Sequence, residues 1–279
     1  ATILMTGELW FRVPEIIEVR LDGEAQKGVY PKDVILEVLG RIRADGAVYK
    51  AIDFTGSYVE KLNVAGRMTI CNMAVEMGAK TAYMQPNADV LNYVDKRAVR
   101  PYEVQFTDPD FQYEESYVFD VSKIEPNLAC PSSVENVHPL SEVVATGPIK
   151  LNQGYIGSCT GGRVEDIAIA AKILKGRHIP EYTRLIVVPA SNEVMQECMK
   201  AGYIQDLMNA GATITTPGCG ACLGAHEGIL APGEVCITST NRNFPGRMGS
   251  TEALMYLASP ATVAASMVNG CITDPRDFL

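Results

Sequence analysis

Three cysteines stand in glycine-rich loops that directly follow short apolar, strand-like runs. Cys159 follows one such run, and the pair Cys219 and Cys222 follows another. A third strand-like run leads into a loop that carries Arg242 and Arg247. In open α/β sheets, ligands collect at the carboxyl ends of the strands. The pattern therefore predicts a metal or cluster site beside an anion-binding site.

Thiolates are soft ligands that suit iron–sulfur clusters. The close pair Cys219 and Cys222 could hold two irons of a four-iron cube, and Cys159 a third. The fourth iron would then lack a thiolate and could act as a Lewis acid on a hydroxyl group. The spacing leaves two alternatives open, namely a zinc ion bound by these three cysteines and His226, and a redox-active Cys219–Cys222 dithiol.

The loop after the third strand-like run has the composition of an anion site. Arg242 and Arg247 flank a Pro245-Gly246 turn, and guanidinium groups bind carboxylates through two parallel hydrogen bonds. This arrangement favours a clamp for a di- or tricarboxylate, although two exposed surface arginines are the simpler alternative. Asn241 could donate a hydrogen bond to a cluster sulfide or ligand.

A predicted helix from residue 65 to residue 77 carries Asn72 and Glu76 four positions apart, so the two side chains share one face. The neighbouring residues are mostly apolar, and a buried carboxylate or amide needs polar partners. From the residues alone, a solvent-facing glutamate without a special role is the simpler interpretation.

Composition bounds the class of protein. The chain has 279 residues, 47% of them hydrophobic and 20% charged, which is typical of a globular protein. Its net charge of -9 argues against nucleic acid as a partner. We expect no membrane association, because no apolar run approaches the roughly 20 residues of a membrane span. The eight scattered cysteines, with no signal peptide in the sequence, favour a reducing cytoplasm.

Strand-like and helix-like runs alternate, which predicts an α/β fold with mostly parallel sheets and helices on both faces. Glu8 to Asp22 is predicted as an edge strand without a complete partner, and Thr251 to Leu257 as a helix. Prolines and serines between residues 120 and 148 predict a linker. The expected units are 1–28, the remnant of a first domain, 29–120, a second α/β domain, and 121–279, a third that carries the cluster cysteines.

At this point the sequence resembles the aconitase superfamily, especially the large subunits of 3-isopropylmalate dehydratase and the homoaconitases. The resemblance covers essentially the whole chain, and it rests on several blocks that occur in the family's order. These blocks are residues 68–73 with Glu76, 157–160, 217–222, 239–247 and 269–276.

The resemblance implies an aconitase-like fold of three-layer α/β/α domains. It also implies that Cys159, Cys219 and Cys222 hold a [4Fe-4S] cluster, with Asn72 and Asn241 against it. Under this interpretation zinc becomes a minor alternative.

The same resemblance implies that Glu76 belongs to an acid–base network, and that Arg242 and Arg247 bind substrate carboxylates. The implied reaction moves a hydroxyl group by one carbon, through dehydration and rehydration of a hydroxy di- or tricarboxylate. We expect the isomerisation of 2- and 3-isopropylmalate in leucine biosynthesis. Alternatives are a homoaconitase, an aconitase or a 2,3-dimethylmalate-type dehydratase subunit and, from another class, a non-catalytic zinc- or cluster-binding module.

Two departures from the family pattern carry expectations. Gly161 stands where the family usually has asparagine, which predicts a looser loop beside Cys159. The family's N-terminal His/Asp-rich set is missing, so we expect a fragment, a processed product or a split subunit, inactive alone. The catalytic serine base would lie in a swivelling domain, expected on a separate small subunit.

Overall fold

The computed structural model describes residues 2–279, which contain two β-sheets with helices packed against them. The strands are β1 (Ile16–Asp22), β2 (Ala51–Thr55), β3 (Thr81–Tyr83), β4 (Ser116–Asp120), β5 (Asn127–Ala129), β6 (Val137–Pro139), β7 (Gln153–Gly157), β8 (Arg184–Val188), β9 (Thr213–Ile214), β10 (Val235–Thr238) and β11 (Leu254–Leu257).

The α-helices lie between and after these strands. They are α1 (Thr2–Thr6), α2 (Pro31–Ile42), α3 (Ser57–Lys61), α4 (Val64–Met73), α5 (Ala88–Asp95), α6 (Leu140–Ala145), α7 (Ser158–Gly161), α8 (Val164–Leu174), α9 (Asn192–Lys200), α10 (Tyr203–Asn209) and α11 (Pro260–Asn269). Short 3-10 turns cover Ala74–Met77, Val121–Lys123, Gly220–Leu223 and Pro275–Phe278.

The first sheet has the order β3-β2-β1-β4, and all of its pairings are parallel. Strand β1 is interior, because Val19 lies opposite Phe54 of β2 and Tyr117 of β4. The predicted edge strand without a partner is therefore wrong. Its partners lie far along the chain, and the period-2 pattern of one strand does not show where they are.

The second sheet has the order β6-β5-β11-β10-β7-β8-β9. Strands β7 to β11 pair in parallel, whereas the β5–β6 hairpin at one edge is antiparallel, both internally and where β5 pairs with β11. The mostly parallel α/β architecture is thus confirmed. The predicted linker contains β5, β6 and α6, and the predicted helix 251–257 is wrong because its second half forms β11 beside β10.

Two helices begin where local sequence signals agree, and one of them is the predicted helix from residue 65 to residue 77. Helix α2 begins at Pro31, whose fixed φ suits the first turn. Helix α4 begins after Asn63, whose side chain accepts a hydrogen bond from the Gly66 amide. It continues as a 3-10 turn that ends at Gly78, where φ is 82°. These signals place Asn72 and Glu76 at the carboxyl end of a defined helix.

The two faces of the second sheet are packed differently. Helices α8, α10 and α11 cover one face with a core that includes Ile156 and Val187. The other face, with Tyr155 and Val188, packs against residues of the segment that contains Cys222. The loop that carries Cys219 and Cys222 therefore packs on this face of the sheet, opposite the helices.

The cores of the two sheets are continuous. Ala129 and Leu257 of the second sheet are buried in the same cluster as Val34 and Ile35 of α2. The division into units 1–28, 29–120 and 121–279 stays a prediction, although β1 pairs with strands of the second of these units. Within residues 2–279, no helix combines the length and the apolarity that a membrane crossing requires.

Candidate functional site

The predicted site residues gather at one edge of the second sheet. Strands β10, β7, β8 and β9 are adjacent and parallel, so their carboxyl ends meet there. The loop after β7 carries Cys159, the loop after β9 carries Cys219 and Cys222, and the loop after β10 carries Arg242 and Arg247. This sheet edge therefore brings together cysteines and arginines that are widely separated in the sequence.

The loop with Cys159 has an unusual backbone. Gly157 has φ of 151°, and a Cβ on it would lie 2.3 Å from the Val188 carbonyl oxygen, so only glycine fits. The next residue, Ser158, has φ of 69°, a left-handed conformation that is uncommon for a residue with a side chain. Such conformations cluster at functional sites. Here the turn brings Cys159 to the surface.

Gly161 is tightly packed rather than loose. It is buried, and a Cβ at this position would lie 2.3 Å from Ser239 Oγ and 2.5 Å from Ser239 Cβ. Ser239 accepts a hydrogen bond from the Gly157 amide and donates one to the Gly161 carbonyl. The expected loosening at Gly161 is wrong, because the missing side chain lets the strand β10 loop approach the Cys159 loop directly.

Cys219 and Cys222 sit at a 3-10 turn, with Cys219 exposed and Cys222 buried. The hydroxyl of the fully buried Tyr155 donates to the Cys219 carbonyl at 2.7 Å. Burial raises the pKa of Tyr155, and Cys222, Cys219 and Cys159 each add to that rise through Coulombic repulsion of the phenolate. The Tyr155 hydroxyl thus links strand β7 to the loop that carries Cys219 and Cys222.

Asn72 joins the helix α4 to two of the loops. Its Nδ2 donates to Cys159 Sγ at 3.5 Å, and its Oδ1 accepts from Asn241 Nδ2. The Thr160 hydroxyl lies within hydrogen-bond reach of both asparagines. The amide groups predicted beside the cluster thus form one network around the Cys159 thiol.

This network changes the acidity of Cys159. Partial desolvation raises the pKa of the thiol, but hydrogen bonds from Thr160, Ser158 and Asn72 outweigh it, so the pKa lies below its ordinary value. A thiolate is the form of cysteine that binds metals. The surroundings of Cys159 therefore favour its ligand form.

Glu76 orients Arg242. The Nε of Arg242 donates to both carboxylate oxygens of Glu76, at 2.8 and 3.0 Å. The Glu76 side chain is only 8% exposed, whereas that of Arg242 is 36% exposed. Burial raises the pKa of Glu76, against the opposing effect of Arg242. The contact uses Nε alone, so the terminal amino groups of Arg242 can face a ligand.

Arg247 lies beside the buried cysteine. Its terminal amino group is 3.9 Å from Cys222 Sγ, and its Nε is buried without a hydrogen-bond partner in the described structure. A buried, unpartnered donor is costly, and such a group is unusual in a folded protein. A bound anion near Arg247 would reduce that cost.

Sequence reasoning missed two residues that hold the arginine loop. Asn243 is buried, and its Nδ2 lies within hydrogen-bond distance of four main-chain carbonyl oxygens, the shortest at 2.9 Å to Cys130. Lys32 of α2 donates to the Thr240 carbonyl at 2.6 Å. Asn243 was visible only as one of several turn-forming residues, and Lys32 as an ordinary polar residue of a first helical turn.

A single zinc ion receives no support from the geometry. Zinc needs its ligand atoms about 2.0–2.3 Å from one point. Among the residues that the structure describes, no three or more His, Cys, Asp or Glu side chains are arranged around one ion position. His226 is exposed. A cluster with separate irons does not require such convergence, so the three cysteines remain compatible with it.

These observations define an α/β protein in which thiol and guanidinium groups lie together at the carboxyl ends of parallel strands. A family model described as the aconitase family (aconitate hydratase) matches residues 1–270. The chain belongs to the aconitase family.

Curated relatives carry more than one name. A probable methanogen homoaconitase large subunit of Methanothermobacter thermautotrophicus is 49% identical over 276 residues, which cover 99% of this chain and 64% of that protein. A 3-isopropylmalate dehydratase large subunit 1 of Methanopyrus kandleri is 51% identical over 282 residues, which cover 100% of this chain and 66% of that protein.

A probable 3-isopropylmalate dehydratase large subunit, also from Methanothermobacter thermautotrophicus, is 46% identical over 275 residues, which cover 99% of this chain and 65% of that protein. Two differently named proteins of one organism thus resemble this chain to similar degrees, so identity alone does not choose a substrate. The chain spans about two-thirds of the length of these relatives, 64% to 66%.

Proposed function

We propose that this chain is the cluster-binding, large-subunit part of a hydro-lyase that acts on a hydroxy di- or tricarboxylate. The reaction removes water and adds it back with the hydroxyl group moved by one carbon. Isomerisation of 2- and 3-isopropylmalate is the first candidate, and the homoaconitase reaction is the alternative that the relatives' names also support. The observation that carries the proposal is the meeting of three cysteines and two arginines at one sheet edge.

The donor set fits a [4Fe-4S] cluster. Cys159, Cys219 and Cys222 would hold it, because the loops that carry them leave the carboxyl ends of β7 and β9 at the same edge of one sheet. When bound, the cluster supplies a Lewis acid for the substrate hydroxyl. Asn72 and Asn241 keep the Cys159 thiol hydrogen-bonded and oriented.

The arginines provide the substrate-binding part of the proposal. Arg242 is held by Glu76 through Nε, which leaves the two terminal amino groups of the Arg242 guanidinium free to bind a carboxylate. Arg247, with its unpartnered Nε, adds a second positive group. Glu76 is poised to hold or release a proton because burial raises the pKa of its carboxyl group.

We further propose that a small subunit with a swivelling domain completes the active site. The term "large subunit" in the names of the relatives supports a small-subunit partner. We place the protein in the cytoplasm, since all eight cysteines are free thiols, as expected in a reducing compartment.

The first test is anaerobic reconstitution with iron and sulfide, followed by metal quantification and a visible spectrum. We expect a broad brown absorption and about four irons per chain, both lost in Cys159→Ala. Cys198→Ala is the matched control, because Cys198 is a buried thiol of α9 within the core between the helices and the second sheet. Stoichiometric zinc without iron uptake would remove the hydro-lyase proposal.

The substrate is tested separately with the cluster-loaded chain and a small subunit. Turnover of 2-isopropylmalate to 3-isopropylmalate would support the first candidate. Turnover of homocitrate or homoaconitate alone would exclude it in favour of the homoaconitase reaction. Inactivity toward every hydroxy acid in an iron-loaded complex would contradict the proposed reaction itself.

A further inference from the structure

Lys32 is an almost fully buried lysine that lies behind the arginine loop. It is 2% exposed, and it is the second residue of α2. Its Nζ donates to the Thr240 carbonyl oxygen at 2.6 Å and contacts Met73 Sδ at 3.4 Å. Thr240 directly precedes Asn241 and Arg242, so the lysine holds the peptide from which both site residues extend.

The ammonium group has more bonding capacity than these contacts use. It carries three donors, whereas it meets one carbonyl oxygen and one thioether, a weak acceptor. Glu76 is the leading source of electrostatic stabilisation for the Lys32 charge, and Lys32 in turn stabilises the Glu76 carboxylate. Glu76 is therefore flanked by Arg242, which it contacts, and by Lys32 at longer range.

A purely structural role does not require a charge at this position. Asp33, not Lys32, completes the cap of α2 by accepting from the Tyr30 amide at 2.8 Å. A buried ammonium is expensive to desolvate, and an apolar side chain of similar volume is often at least as stabilising. The charge is thus better explained by the Thr240 carbonyl that Lys32 contacts and by its electrostatic attraction to Glu76.

We propose that Lys32 is a positioning residue, which fixes the main chain before Asn241 and Arg242 and supports the Glu76–Arg242 pair from the protein interior. The inference deepens the proposed function, because its consequence for catalysis rests on Arg242 binding a substrate carboxylate. Its structural part, the restraint of the arginine loop, holds without any substrate.

Hydrogen–deuterium exchange of the whole chain tests the structural part. In Lys32→Met we expect amides of residues 239–244 to exchange about tenfold faster, because a local restraint is lost. Strand β7, which lies beside β10, should not change. Arg41→Met is the matched control, since Arg41 also donates to a main-chain carbonyl, that of Val118 at 3.0 Å, but on the exposed surface.

Unchanged exchange at residues 239–244 would overturn the proposal. So would uniformly faster exchange in β7 and β10, because it would show a global loss of stability instead of a local restraint. If Lys32→Met does not fold, nitrogen-15 NMR of lysine side chains keeps the question decidable. The wild-type protein should show a slowly exchanging ammonium signal coupled to the Thr240 carbonyl, and that signal should move in Glu76→Gln. A signal that is insensitive to Glu76 would contradict the electrostatic link.

Kinetics of the cluster-loaded complex test the consequence for catalysis. Lys32→Met should raise KM for the hydroxy acid about tenfold, with a smaller effect on kcat, because a misaligned Arg242 weakens carboxylate binding. Unchanged kinetics in an active complex would overturn this part. If the wild-type complex turns over no hydroxy acid, the proposed function fails, and the exchange measurement still decides the role of Lys32.

Discussion

At the scale of single residues, the site depends on side chains that orient other side chains through hydrogen bonds. Glu76 orients Arg242 by accepting from its Nε, and Asn72 orients the Cys159 thiol by donating to it from its side-chain amide. None of these contacts lies between residues that are neighbours in the sequence. The residue types could therefore be predicted from the chain, whereas the pairing of Glu76 with Arg242 required the fold.

We predict that Glu76→Gln lowers kcat/KM of the assembled enzyme about 100-fold, because an uncharged partner no longer fixes the guanidinium. The free energy of unfolding should fall by only about 1 kcal/mol, since Arg242 is partly exposed and the pair is screened by water. Steady-state kinetics and urea denaturation measure the two quantities.

Glu234→Gln is the control for this prediction. Glu234 accepts two hydrogen bonds from Arg184, at 2.7 and 2.6 Å, and lies before β10 rather than after it. It should show a similar loss of stability with unchanged activity. Equal activity losses in the two variants would contradict a specific role for Glu76.

The buried charge of Lys32 predicts how stability depends on pH. Desolvation lowers the pKa of Lys32 from its ordinary 10.5 to about 8 in the folded protein. Between these values the unfolded chain binds the proton and the folded chain does not, so stability rises with pH across this window. The penalty is complete below pH 8 and is relieved as the pH approaches 10.5.

Relative to Lys32→Met, the wild-type free energy of unfolding should therefore increase by about 3 kcal/mol from pH 8 to pH 10.5. Urea denaturation of both proteins at several pH values measures this difference. The comparison with Lys32→Met removes the contributions of the other titrating groups. A constant difference between the two proteins would show that Lys32 does not titrate in this window.

At the scale of structural elements, the close approach of two loops is the feature most sensitive to substitution. In Gly161→Ala, the new Cβ would overlap Ser239, so we expect a loss of about 1–3 kcal/mol in the free energy of unfolding. Thermal or urea denaturation measures the loss. The iron content after reconstitution should fall with it, because the Cys159 loop is displaced.

A double-mutant cycle with Ser239→Gly identifies the cause. Removing the Ser239 side chain takes away the two nearest atoms that the new Cβ would meet and leaves only the Ser239 carbonyl oxygen at 2.9 Å. The double variant should therefore be more stable than the sum of the single losses implies. Strict additivity would mean that the effect of Gly161→Ala arises elsewhere.

Elements with strong local signals could be predicted from the sequence, and elements defined by distant partners could not. Helix α2 has a proline at its first position and apolar residues at helical spacing, and both signals are visible in the sequence. Strand β11 is a short apolar run that periodicity alone does not distinguish from a helix. Its identity comes from the ladder with β10.

At the scale of the whole molecule, α2 connects the two sheets. The Asp33 carboxylate accepts a hydrogen bond from the main-chain amide of Asn127 at 3.0 Å. The side-chain amide of Asn127 donates a second bond to the main-chain carbonyl of Asp33 at 3.3 Å. Lys32 adds the contact to Thr240, and Ala129 and Leu257 pack in the core of the first sheet. These links cross the predicted boundary near residue 120.

We therefore predict that the two sheets unfold together. In urea, circular dichroism and hydrogen exchange should give coincident transitions, with slowly exchanging amides of both sheets reporting opening free energies within about 1 kcal/mol of each other. Two separated transitions, one for residues 29–120 and one for residues 121–279, would instead show that the units fold independently.

The positions of the cysteines and arginines in loops after strand-like runs were predictable, because glycine-rich loops after apolar runs signal strand ends. Their roles stay predictions. The restraints behind them were not predictable, since burial of Lys32 and Asn243 depends on helix α2 and the β5–β6 hairpin packing against the same loop. A single polar residue in a sequence does not reveal which distant backbone it contacts.

The hydrogen bonds of Ser239 also set an order of events during synthesis. The ribosome releases the Cys159 loop well before it makes Ser239, whose hydroxyl braces that loop at Gly157 and Gly161. Until then the thiol belongs to an incomplete sheet with no neighbouring strand β10 to hold its turn. A metal cofactor that depends on the braced Cys159 turn would consequently bind only after Ser239 has been made and β10 has joined the sheet.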